Sequence, residues 1–226
     1  GAKNSGRGRP RAHRCPCLSH DPRPLTASKP RIGAILLGAG FARRFGSDKR
    51  MARFGDSTVA ETTLGRYAEV FDELRLVVRA EDEALAELAA TYATIIKTEQ
   101  AHLGMGHSLA AGFEKLPWQW AFVGLLDMPF VKVATLKRLK QHAALTQYLI
   151  IRPRLQPSKD GFVTTPAPHG HPIGFHSSLF DAVAEARGDA GARDLLQSQR
   201  DRIENVQVAD AGVIKDIDHP SDLAGI

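Results

Sequence analysis

Five short apolar runs, separated by stretches of helical periodicity, restrict this chain to few folds. The runs span residues 32–37, 74–78, 94–96, 122–126 and 148–151. Between them lie helical patterns over 59–71, 81–92, 108–116 and 133–144. A strand buried on both faces reads as a continuous apolar run, because neither face meets water. Strands of that kind alternating with helices imply βαβ units. The expected fold class is therefore α/β: three layers, a mostly parallel sheet with helices on both faces. Further on, helices are expected over 179–186 and 192–199, and a strand over 203–208. The intervening 152–178 segment reads as a loop or hairpin beside the site. Residues 32–226 contain no repeat and no low-complexity linker, so a single domain is expected there.

Residues 1–31 differ in kind. They carry eight Lys/Arg against one Asp, whereas 32–226 hold 22 basic and 24 acidic residues. The formal charge of +5 therefore sits in the tail, and the body is slightly acidic. A basic domain that grips a phosphate backbone is not expected, and nucleic acid is not an expected partner. Five prolines in 1–30 and few large apolar residues predict a disordered or tag-derived segment that begins at Gly1. Both cysteines, Cys15 and Cys17, lie in it, which excludes a disulfide scaffold or a cysteine-held metal for the body. His13, Cys15, Cys17 and His20 match no standard zinc spacing. No run approaches the roughly 20 apolar residues of a membrane helix, so a membrane partner is not expected and cytoplasm is the expected location.

Open α/β sheets bind ligands at the carboxyl ends of their strands. Four places qualify here. The first run ends in Leu37-Gly38-Ala39-Gly40, and Gly46, Arg44 and Lys49 follow. Glycines there let backbone N–H groups approach a ligand, and the two cations suit a polyphosphate. The loop matches neither the Walker pattern nor the dinucleotide fingerprint. Asp127 directly follows an apolar strand, where a carboxylate can hold a divalent cation; the competing role is a helix cap. Asp218 offers a second carboxylate, again with a capping alternative. The fourth place combines three segments. Gly106 and Ser108 suit a turn and helix start. His169 and His171 form an H-x-H pair that also reads as the lining of a polar pocket. Asp189 and Arg193 stand four apart at a helix start. Trp118 and Trp120 read as packing residues.

Taken in order, these segments resemble a known family. Leu37-Gly38-Ala39-Gly40 with Arg44, Phe45, Gly46 and Lys49 is similar to the signature loop of nucleotidyltransferases with a Rossmann-like GT-A fold. Gly104-Met105-Gly106 with Ser108, Leu126-Asp127-Met128-Pro129, 170–175, 188–193 and 216–223 support the resemblance. It covers essentially all of 32–226, and within the group it is closest to molybdenum cofactor cytidylyltransferases. The resemblance implies that a nucleoside triphosphate, CTP by preference, binds on Leu37, Gly38, Ala39, Gly40, Arg44, Lys49, Gly106 and Ser108. Arg44, Lys49 and Asp127 would be catalytic, and Asp127 and Asp218 would hold Mg²⁺. His171 and Phe175 would line the pocket for a phosphorylated acceptor, molybdopterin by preference. A molybdoenzyme or its chaperone would receive the product.

Ala42 stands where the family commonly carries Ser, which removes one hydroxyl. Ala39 stands where guanylyltransferases carry Gly, which favours the cytidylyl branch. Arg50 and Arg53 replace Leu, either extending the phosphate-binding surface or covering a helix face. Guanylyl transfer, transfer to a sugar or alcohol phosphate, and a non-catalytic cofactor carrier are the alternatives.

Overall fold

The computed structural model describes Gly1 and residues 30–40, 45–156, 167–189 and 191–224. Nearly all of the basic tail, with Cys15 and Cys17, lies outside the described residues, and so does Arg44. In chain order the elements begin with β1 (Ile32–Leu37), a hairpin of β2 (Arg53–Phe54) and β3 (Ser57–Thr58), and α1 (Val59–Ala68). Then come β4 (Leu74–Arg79), α2 (Glu83–Ala89), β5 (Thr94–Thr98), α3 (Met105–Phe113) and β6 (Trp120–Leu125). The last are α4 (Val133–Leu145), β7 (Ile150–Leu155), β8 (Ile173–His176), α5 (Phe180–Ala184), α6 (Arg193–Ser198) and β9 (Ile203–Val208).

Seven of these strands form one sheet in the order β5-β4-β1-β6-β8-β7-β9. Every pairing is parallel except those of β8 with β6 and β7. The fold is thus a Rossmann-like, mostly parallel α/β sandwich. Alternate residues of β1 separate the two cores. Ile32, Ala34 and Leu36 pack with Leu64 and Tyr67 of α1, Leu85 of α2, and Leu136 and Leu139 of α4. Ile35 faces the other way, onto Leu109 and Phe113 of α3 and Phe180 and Val183 of α5. Trp118 and Trp120 are both buried, one in each core.

The helices depart from the expected ranges for identifiable reasons. α1 opens on a capping box in which the Thr58 hydroxyl and the Glu61 carboxylate each bond the other residue's N–H. It closes at Ala68, while Phe71, in the turn beyond, stacks against Tyr67 at 5.7 Å and meets Phe122 at 5.3 Å. Core contact therefore extends the apolar period past the end of the helix. β7 runs four residues beyond the expected run, because Arg152 and Arg154 are polar members of a strand. β8, inside the segment expected to be a loop or hairpin, is a sheet strand inserted between β6 and β7.

The chain moves from β1 outward to β4 and β5, then returns to place β6 on the opposite flank of β1. Beyond the carboxyl ends of β1 and β6 the two directions part, and a crevice opens there. Its edges are Gly38 after β1 and Asp127 after β6.

Candidate active site

A cleft of about 410 Å³ opens at this switch point, lined by Leu37, Gly38, Ala39 and Gly40 on one side. Lys49, Ser108, Asp127 and Asp189 complete its polar wall. The short turn that carries Lys49 is capped by Asp48, whose carboxylate accepts the Arg50 N–H at 3.0 Å. From that turn the Lys49 ammonium reaches across the cleft. It donates to the Ile217 carbonyl at 2.6 Å and stands 2.7 Å from the Asp127 carboxylate and 3.2 Å from that of Asp218. The structure thus joins three candidate residues from distant parts of the sequence. Burial alone depresses the Lys49 pKa, but the carboxylates of Asp127 and then Asp218 outweigh it and raise it above the ordinary lysine value. The ammonium stays charged at any working pH.

Neither aspartate is a helix cap. α4 begins at Val133, and the buried Asp210 caps it, accepting the Lys132 N–H at 2.9 Å and the Thr135 hydroxyl at 2.6 Å. The Ile217 N–H donates to the Asp127 carbonyl at 3.0 Å, which ties the C-terminal segment to the strand end. At the short turn Pro220–Leu223, Asp222 accepts the N–H groups of Asp218 and His219 at 2.9 and 2.8 Å. Asp218 is thereby left to face Lys49.

Arg50, adjacent to Lys49, points under the glycine loop and is only 4% exposed. Its guanidinium donates two bonds of 2.7 Å to Asp82 and one of 2.7 Å to each Asp48 oxygen, and it also bonds the Gly38 carbonyl. Arg79 donates to the same Asp82 at 2.6 and 3.0 Å. Burial opposes charge on Asp82, yet the two guanidiniums hold its carboxyl far below the usual range. Arg50 thus acts as a buried tether for the glycine-loop backbone, a role its sequence position did not reveal.

Gly104 and Gly106 serve close packing. Gly104 has φ +112°, and a Cβ there would sit 2.6 Å from Asp189 Oδ1; one at Gly106 would meet the Arg187 backbone at 2.6 Å. The Gly106 N–H donates to the Gly188 carbonyl at 2.7 Å, so two candidate segments form one wall. Ser108 faces the cleft from α3, while Gly106 supports it from behind.

A second cavity, of about 210 Å³, shares Leu37, Met105 and Leu125 with the first. His171, Ile173, Phe175 and Arg193 line it. His171 Nδ1 lies 3.4 Å from the Val123 carbonyl, which makes that nitrogen the protonated one. Burial pulls the His171 pKa down, only partly offset by the Val123 carbonyl and then by Asp127 and Asp216, so the ring is neutral at pH 7. Phe175 is 1% exposed and packs edge-on against Phe113. Among the described residues no group of three His, Cys, Asp or Glu is placed to hold a metal unaided. His169 and His171 have no third ligand there.

A mostly parallel sheet with a glycine loop, a lysine and two carboxylates at its switch point is the arrangement of a nucleotide-dependent group-transfer enzyme. The chain belongs to the family of MobA-like NTP transferase domains, whose profile matches residues 34–203, and it is a nucleotidyltransferase of that family. It is 27% identical over 210 residues to the purine catabolism protein PucB of Bacillus subtilis, covering 85% of this chain and 94% of that one. It is 31% identical over 108 residues to a probable molybdenum cofactor guanylyltransferase of Peptoclostridium acidaminophilum, 47% of each chain. Among solved structures it resembles Rv0371c of Mycobacterium tuberculosis H37Rv, with TM-score 0.69 and 25% identity over 86% of this chain and 96% of that one. Rv0371c is also known as a complex with manganese, matched at TM-score 0.62 and 25% identity over 79% of this chain and 88% of that one. Among the described residues no helix is long and apolar enough to cross a membrane.

Proposed function

We propose that the protein transfers CMP from CTP to the phosphate of molybdopterin, with Mg²⁺ as cofactor and pyrophosphate as the second product. The observation that carries this reading is the convergence of Lys49, Asp127 and Asp218 opposite the glycine loop. An acceptor phosphate oxygen attacks the α-phosphorus, the bond from that phosphorus to the bridging oxygen breaks, and pyrophosphate leaves. Such a transfer needs positioning and charge stabilisation, with no covalent protein nucleophile.

In this reading the loop N–H groups at Gly38, Ala39 and Gly40 cradle the triphosphate. Lys49 neutralises charge that grows at the α-phosphate, and Arg44 holds the β- and γ-phosphates. The donor set at Asp127 and Asp218 is two carboxylates within 3.2 Å of one ammonium, all hard oxygen ligands, and it suits Mg²⁺ or Mn²⁺. A bound divalent cation would supply further neutralisation of phosphate charge. That the structural relative Rv0371c is known as a complex with manganese supports a divalent cation in a protein of this fold. His171 and Phe175 border the acceptor pocket, with His171 neutral and able to accept a proton through its second nitrogen. We place the reaction in the cytoplasm because residues 32–226 contain no cysteine and so depend on no disulfide from an oxidising compartment.

CTP is favoured by Ala39, where guanylyltransferases of this kind carry Gly. Guanylyl transfer is the second reading, because the Peptoclostridium relative, matched over 47% of each chain, is named a probable molybdenum cofactor guanylyltransferase. Pyrophosphate release separates the two. The protein is supplied with Mg²⁺, molybdenum cofactor and each nucleoside triphosphate in turn. CTP is expected to turn over at least about 10-fold faster than GTP, the range a pocket contact supplies. Release from GTP alone moves the protein to the guanylyl branch. Release from none overturns the proposal.

A further inference from the structure

The outer part of the sheet carries positive charge that the mechanism above does not use. Arg152 and Arg154 alternate with Ile150 along β7 and so share its face, the face packed on α3 and α5. Neither has a carboxylate partner among the described residues. Arg152 Nε donates to the neutral amide oxygen of Asn205 at 2.8 Å, and Arg154 Nε is buried without a hydrogen-bond partner. Elsewhere, Arg31, Arg50 and Arg79 each pair with an acid. His169 bridges Arg154 across the strand edge. Burial and then the two arginines lower the His169 pKa, and burial and then Arg154 lower that of Arg152. Two guanidiniums with no carboxylate partner among the described residues give this part of the sheet a positive potential that favours an anion.

Its position points to the occupant. β7 and β8 run antiparallel with Ile150 opposite Phe175 and Ile151 opposite Gly174, which carries Arg152 alongside Ile173. Ile173, Phe175 and His171 line the second cavity. One residue separates His169 from His171, so their backbones stand within about 7 Å. His171 in turn feels the charge of Asp127. The arginine pair therefore borders the acceptor side of the site.

We propose that Arg152 and Arg154, with His169, form an anion site that grips a phosphate monoester of the acceptor. Paired guanidinium forks match the geometry of phosphate oxygens, and among the described residues neither guanidinium is committed to a carboxylate. This inference rests on the reading of the protein as a nucleotidyltransferase with a phosphorylated acceptor. It adds the residues that recognise that acceptor.

The test is isothermal titration with inorganic phosphate as the probe, the nucleotide cleft being filled by Mg²⁺ and α,β-methylene CTP. Arg152→Gln/Arg154→Gln is expected to weaken phosphate binding about 10-fold or more, as loss of charge-assisted bonds does. The nucleotide analogue is expected to bind both proteins within about 2-fold of equally, because the arginines do not touch its cleft. Arg152→Lys/Arg154→Lys keeps the charge but not the fork, guards against a folding defect, and is expected to bind phosphate more tightly than the glutamine variant and more weakly than the wild type. Equal phosphate affinity in the wild type and the glutamine variant overturns the anion site and leaves the nucleotidyl reading intact. Phosphate binding that depends on the arginines in a protein that binds no nucleotide supports the anion site and removes the reading beneath it.

Discussion

Asp127→Ala is expected to lower turnover of the nucleotidyl reaction by about 10³-fold or more, the loss of several kcal/mol of charge stabilisation. Stability is expected to change little. The backbone bond from Ile217 to the Asp127 carbonyl survives the substitution, and Lys49 keeps Asp218 and the Ile217 carbonyl as partners. The Asp127 side chain fills no core, and no helix depends on it, since Asp210 caps α4. Steady-state kinetics and a melting curve on the same preparation read both halves. Near-normal turnover would reduce Asp127 to a counter-ion of Lys49, and the metal site would have to lie elsewhere.

Arg50→Met is expected to have the opposite signature, a large loss of stability. The substitution keeps the buried stem but leaves Asp82 with Arg79 alone and Asp48 with neither fork of the guanidinium. Breaking a buried pair by removing one partner costs about 3–5 kcal/mol, and the remaining Arg79 bonds put this case at the lower end. At about 2–4 °C per kcal/mol for a chain of this size, the melting temperature is expected to fall by about 6–12 °C.

The acid limb of the stability curve is a second readout. The Asp82 carboxyl titrates lower in the folded protein than in the unfolded chain. Its contribution is therefore complete above the unfolded value near pH 4 and is lost as the pH falls toward the folded one. Stability of the wild type is expected to drop steeply below about pH 4, and that of Arg50→Met less steeply. Parallel acid limbs in the two proteins would show that the Arg50 pairs contribute nothing to folding.

The centre of the sheet was legible because β1 and β6 are buried on both faces and read as unbroken apolar runs, while β4 and the edge strand β5 showed shorter runs interrupted by Arg75 and Lys97. β8 escaped because Ile173–His176 is short and contains a glycine, and antiparallel insertion leaves no periodic trace. The carboxyl half of β7 escaped because Arg152, Pro153 and Arg154 interrupt the apolar run. At the site, Lys49, Asp127 and Asp218 were each visible as a charge beyond a strand or loop, but their meeting depends on sheet order. The packing role of Gly106 and the tether at Arg50 were hidden for the same reason. Their partners, Arg187 and Asp82, lie 81 and 32 residues away in the chain.

The central claim is that Lys49, Asp127 and Asp218 form a metal-assisted triphosphate site, and a thermal-shift titration tests it most directly. CTP, GTP, ATP and UTP are each added with and without Mg²⁺ to the wild type and to Asp127→Asn. A ligand held only by the folded state raises the melting temperature by mass action, by about 2.7 kcal/mol at 100 times its dissociation constant. For a chain of this size that is about 5–10 °C. A shift of this order is expected with CTP and Mg²⁺, and it is expected to be lost without Mg²⁺ or in Asp127→Asn. No shift with any nucleotide, or an equal shift in the variant without Mg²⁺, would contradict the claim.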